Sequence, residues 1–352
     1  MVIVGASLLG SGLALGSTAP RAERGIAALR LDAPRGHLPH LFMQQPTSRP
    51  RIGVPQQPAT ASLLGIKEGG VVMTGPTHIY VIFWEPAKLQ DGRAVAVASG
   101  YNTLVERYFS DVGGHSLYNN DTQYYQDISG TFTYIQNSSS LAAAVVDTTP
   151  YPAADCSDPA YPAKDCISDA VVQAEIKKEA TAHSWKTGIS NLFFVMTTTG
   201  EGSCQAKGDK TAANCFAPGG YCAYHNFFSA NGTVGEAYIY GNMPYDGDAA
   251  KGCGLLGSTG NPVSPNNNVA ADVEISVTGH ETMESVTDPF PGSAIWGWHD
   301  SSGSEIGDKC AANPGPGPYW DNNLATEMWN GHFYAIQSMF DNHTDGCVQV
   351  GP

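Results

Sequence analysis

Residues 278–289 read TGHETMESVTDP, with His280 four positions ahead of Glu284 and Glu281 directly after the histidine. An imidazole and a carboxylate at i and i+4 share one face of a helix, close enough to grip a divalent cation between them. The concentration is unusual for a chain in which 14% of residues are charged. A second ionisable group lies downstream in WGWHDSSGSEIGDKC, where Glu305 comes 25 residues after His280 and Asp308 three further on.

The segment NNNVAADVEISVTGHETMESVTDP must supply the helix. Asn267 or Asn268 can cap its start, and Pro289 ends it. Val273, Val277, His280 and Glu284 form one stripe, while Ile275, Gly279, Thr282 and Val286 form a second, roughly opposite. A helix apolar on two faces is buried, so an unpaired Glu284 charge there would be costly. A bound cation would neutralise it.

Other elements are legible around this helix. His78 to Trp84 is a β-branched and aromatic run of strand length. Leu104, Tyr108 and Phe109 in YNTLVERYFSDVGG have helical spacing, and SDAVVQAEIKKEATAHSW is a second helix with Val171, Val172, Ile176 and Ala180 on one face. NLFFVM reads as a buried strand, and EAYIYGNMPY (236–245) as a sheet-edge strand suited to pairing with an extended peptide. Irregular interleaving of strands and helices points to an α+β fold with a mixed sheet.

The chain has 352 residues and a formal charge of −15, which argues against nucleic acid as a partner. Residues 1–22 are apolar and rich in small side chains, too short for a comfortable membrane span, and read as a signal peptide lacking the usual basic start. Residues 23–68 are rich in Pro, Arg and Gln and read as a linker or pro-segment outside the core, leaving 69–352 as a single domain. Eight cysteines without a C-x-x-C pair suggest up to four disulfides in an oxidising compartment. Cys156–Cys166 and Cys310–Cys347 are plausible pairings. Sequons at Asn120, Asn137, Asn231 and Asn342 are expected in surface loops.

The H-E-x-x-E helix resembles that of zincins, and the later acidic pair resembles the gluzincin branch of zinc metallopeptidases. That resemblance implies a zincin-like fold with a buried active-site helix and Zn²⁺ held by His280, Glu284 and Glu305. Glu281 would be the catalytic base, and Asp308 would orient His280 through its other ring nitrogen. The sequence departs from the pattern in having Glu284 where the common motif has histidine, and in an acidic pair one residue closer. The resemblance covers about residues 269–310. A broader one spans about 69–347 through GGVVMTGPTHIYVIFWEP, YNTLVERYFSDVGG, GEGSC with YCAYHNFF, and GHETMESVTDP with GSEIGDKC. These blocks look like secreted microbial proteins related to the plant phosphate-induced, Exordium-like family, which implies an extracellular location and an association with cell-wall material.

Two readings follow. The first is a secreted zinc endopeptidase acting on polypeptide, without membrane insertion. The second is a non-catalytic extracellular protein in which His280 and Glu284 form an internal pair, or in which Asp288, Asp300, Glu305 and Asp308 bind Ca²⁺. His225, within CAYHNFF, is a further possible ligand, although a lone histidine among aromatics is more often a core residue. His299, His332 and Tyr334 are candidates for stabilising an oxyanion.

Overall fold

In the computed structural model, residues 25–31, 40–46, 50–52, 63–66 and 69–352 are described. The segment read as a signal peptide lies outside these residues. Six strands build the main sheet: β1 (His40–Met43), β2 (Thr77–Trp84), β3 (Ser139–Asp147), β4 (Asn191–Met196), β5 (Tyr221–Ser229) and β6 (Ala237–Met243). Their spatial order is β1-β5-β6-β4-β2-β3. Strand β2 is parallel to β3 and β4, and β4 is parallel to β6. Strand β5 runs antiparallel to both β6 and β1. The fold is therefore α+β with a mixed sheet, and the uniformly buried NLFFVM of β4 is what a strand covered on both faces requires.

Three long helices flank the sheet: α1 (Tyr101–Asp111), α2 (Asp169–Ala182) and α3 (Val269–Thr287). Side chains alternate along a strand, and β5 uses that alternation to address two helices. The Tyr224 hydroxyl donates to Asp169 at the start of α2 (2.9 Å), while the next side chain, His225, meets acids of α3. Helices α2 and α3 thus cover opposite faces. The side chain of Asn268 caps α3 by accepting from the Ala271 amide (3.2 Å), and every residue from Ala271 to Thr287 is buried.

Three sequence expectations are corrected. EAYIYGNMPY does not form an edge, because β6 is hydrogen-bonded on both sides, to β4 and β5. The edges of the six-stranded sheet are β1 and β3. Parts of the supposed linker are core: Ile26, Phe42, Ile52 and Leu64 are all buried, and β1 is a full member of the sheet. Composition hid this because the apolar residues there are few and spaced by Pro and Gln. Asn120, finally, is fully buried and unsuited to a surface sequon.

Four disulfides staple the chain: Cys156–Cys166, Cys204–Cys215, Cys222–Cys253 and Cys310–Cys347. The first and last are those the sequence suggested. Cys310–Cys347 fastens the loop bearing Glu305 and Asp308 to the C-terminal segment. Among the described residues no helix is long and apolar enough to cross a membrane.

Candidate metal centre

Helix α3 presents His280, Glu281 and Glu284 inward, all fully buried. His280 Nε2 lies 3.1 Å from Glu284 Oε1. The loop after α3 returns over them. Its amides at Gly307 and Asp308 donate to Glu284 Oε1 (3.1 and 2.9 Å), and the Asp308 carboxylate comes within 3.7 Å of His280 Nε2. Buried Gln337 clamps the loop, donating to the Gly307 carbonyl (2.9 Å) and accepting from the Ala312 amide (3.0 Å). Glycine is required at 307: a Cβ there would lie 2.6 Å from His280 Nδ1 and 2.9 Å from Glu284 Oε1.

From the sheet, β5 contributes His225, also fully buried. Its Nε2 faces the Asp288 carbonyl (3.1 Å) and Glu305 Oε2 (3.4 Å). A carbonyl can only accept, so Nε2 carries a proton and the ring is held with Nδ1 turned to α3. There Nδ1 lies 3.4 Å from Glu281 Oε2 and 3.6 Å from Glu284 Oε2. Glu284 is thus shared, with one oxygen toward each imidazole.

The electrostatics show how strongly this cluster demands positive charge. Burial alone would depress the His280 pKa, yet Glu284 first, then Glu281 and Asp308, raise it to about 10. Burial pushes the Glu281 carboxyl well above its ordinary range, and Glu284 and Asp308 push it the same way, against the opposing pull of His280. Glu305 is raised by burial, then by Asp288 and Glu284. Acceptors pressed together in a dry interior need protons or a cation between them.

The structure brings His280, Glu281, Glu284, Glu305 and Asp308 into one region, with three differences in detail from the expected set. Asp308 approaches the same ring nitrogen of His280 as Glu284 does, not the other one. Glu305 approaches a second imidazole, with Oε2 3.4 Å from His225 Nε2. His225 itself, weighed in the sequence as a core residue, is both core and cluster. The available signal was a titratable side chain inside an otherwise apolar strand, which must find a partner. Asp300 stands apart from the acids grouped with it as a calcium set. Its carboxylate accepts from Ser302 and Ser304 and pairs with Lys309 (3.3 Å). His332 and Tyr334 both bind Asp111 of α1 (2.6 Å each), and His299 stacks on Trp296.

Strand β1 closes the region. Phe42 is buried and stacks on the His280 ring, with centroids 4.4 Å apart and planes 18° from parallel. No protein-family model, curated protein or solved structure matches the chain.

Proposed function

We propose that the protein is a secreted, disulfide-stabilised, metal-dependent hydrolase acting on polypeptide, with a zincin-like helix and following loop around the ion. The observation that carries this reading is the contact of Glu284 Oε1 with His280 Nε2 at 3.1 Å, fully buried, with the Asp308 carboxylate on the same nitrogen. His280, Glu284 and Asp308 would hold the ion. Mixed imidazole and carboxylate donors suit Zn²⁺ and suit Ca²⁺ poorly, since calcium takes oxygen ligands. When bound, the ion supplies Lewis acidity, polarising a carbonyl and making water easier to deprotonate.

The chain's own residues do the remaining work. Glu281 takes a proton and returns it to the leaving amine. His225, fixed through its Nε2 proton, keeps Nδ1 against Glu281. Gln337 and Gly307 hold the loop so that Glu284 cannot swing away. Secretion is supported by the four disulfides and the apolar residues 1–22.

One observation favours a second reading, a non-catalytic extracellular or cell-wall-associated protein: Phe42 covers His280, so an ion there could be structural. Metal analysis of protein purified without chelator, joined to a hydrolysis assay on unfolded proteins and peptide libraries, separates the two. Bound zinc, with hydrolysis abolished by chelation and by Glu281→Gln, is the expected result. Bound metal without hydrolysis would transfer the case to the structural role.

A further inference from the structure

We propose that the cluster is built for two divalent cations bridged by Glu284, one with His280 and Asp308 and the other with His225 and Glu281. This extends the hydrolase reading, from which it takes the first ion. Donor separations point to the second ion. At donor–metal distances near 2.0–2.2 Å, two donors on one tetrahedral ion lie roughly 3.4 Å apart. Around His280 Nε2 the donor separations are 3.1 Å to Glu284 Oε1 and 3.7 Å to Asp308 Oδ1. Around His225 Nδ1 they are 3.4 Å to Glu281 Oε2 and 3.6 Å to Glu284 Oε2. All four separations lie close to the value expected of ligands on one ion, and each set has its own imidazole. Each set gathers its ligating atoms within 4.8 Å of one another.

Glu281 is the independent pointer to a second ligand. It is fully buried, and neither oxygen meets a donor at full hydrogen-bonding geometry among the described residues. Burying a carboxylate costs several kcal/mol unless a proton or a cation compensates it, and here two imidazole-bearing donor sets converge beside it. The Nε2 proton of His225, directed at the Asp288 carbonyl and Glu305, is the kind of outer support that orients an imidazole ligand. Glu305 therefore acts as a positioning residue for the second ion. With Oε2 of Glu281 on that ion, Oε1 remains to accept a proton. Paired ions of this type commonly stand about 3.5–4 Å apart, a span one bridging carboxylate can cover.

The test uses the full-length chain, stripped of metal with its disulfides intact and reloaded with Zn²⁺ or, separately, Mn²⁺. Two Zn²⁺ per chain by mass spectrometry, and an exchange-coupled Mn²⁺ pair by electron paramagnetic resonance, are expected. His225→Gln should bind one ion and give an uncoupled Mn²⁺ spectrum, with far-UV circular dichroism reporting its fold. Glu305→Gln, a milder change, should weaken the second ion by about 10–100-fold and leave the first in place. A wild-type chain that saturates at one Zn²⁺ and shows no Mn²⁺ coupling overturns the proposal. Two bound ions without peptide hydrolysis would sink the hydrolase reading while sustaining this one, and one ion with hydrolysis would do the reverse.

Discussion

Glu274 and Glu284 stand on the same buried helix, and the chain neutralises them in different ways. Glu274 Oε2 accepts the Asp246 amide (3.0 Å), and the Asp246 carboxyl lies close by, also fully buried. No histidine figures among the groups shifting either pKa. Burial raises Glu274 to about 8 and lifts Asp246 well above its normal range, with Glu274 adding to the effect. Both shifts favour the protonated carboxyl. Three turns along, two imidazoles are interleaved with carboxylates, and His280 is driven up to about 10. Buried acids alone are relieved by protons, whereas the interleaved imidazoles and carboxylates offer the mixed donor set that the proposed ions would take.

The most severe way to break this contrast is Glu284→Gln. Losing the shared anionic donor should abolish tight metal binding, whereas Glu274→Gln should leave metal content unchanged. Metal analysis of the two variants, purified identically, checks the difference. Equal loss in both would mean that the helix as a whole, not the imidazole level, controls the ion.

Phe42→Ala addresses access to the same level. Removing a buried phenylalanine costs about 3–5 kcal/mol in a core. On an edge strand the cost should appear largely as local opening of β1. We expect a chelator to strip bound metal at least about tenfold faster than from the native chain, measured by stopped-flow with a chromogenic chelator. An unchanged rate would show that β1 does not gate the centre.

Gly307→Ala should have a smaller effect. Its new methyl group would press on the His280 ring and on Glu284, neither of which is the loose end of an exposed side chain. Overpacking of this sort costs about 1–3 kcal/mol, read as a lower thermal midpoint together with weaker zinc binding. A variant as stable as the parent, with equal zinc affinity, would mean that the loop stands off the ring in solution.

These contrasts also explain what the sequence could and could not disclose. The α3 stripe was legible because helical period and capping are local, and Asn268, Val273 and Glu284 behave as their spacing dictates. Strands β2 and β4 were legible from β-branched and aromatic runs. The partners brought from afar were not. His225 reaches the cluster through strand order, which no local pattern encodes. Phe42 lies in a Pro- and Gln-rich stretch whose composition argued against burial, and one aromatic residue in the right strand register outweighed it. Glu236–Tyr245 was recognisable as a strand, but its interior place depends on β5 and β4 pairing on either side.

The smallest effect concerns a third buried acid. Glu201, just after β4, is raised to about 8, chiefly by burial and secondarily by Asp165, against the hydrogen bond from Gln90 (2.8 Å). It repeats the solution used at Glu274, neutralisation by a proton. Its unfolded pKa is near 4.5, so the folded chain holds the proton more tightly between the two values. The associated stability is full below about pH 4.5 and declines as pH rises toward 8. Glu201→Gln keeps an acceptor for Gln90 and removes the titration. The fall in thermal midpoint between pH 5 and 8 should therefore shrink in the variant, with a residual slope from Glu175 and Glu327, both raised to about 7, and from Glu274, raised to about 8. Asp300, held near 2 by Ser302, Ser304 and Lys309 despite partial burial, contributes in the acid range and leaves this window clear. Differential scanning calorimetry on both chains across that range decides it: parallel slopes would mean that Glu201 is ionised in the folded state, and that burial alone does not hold a proton there.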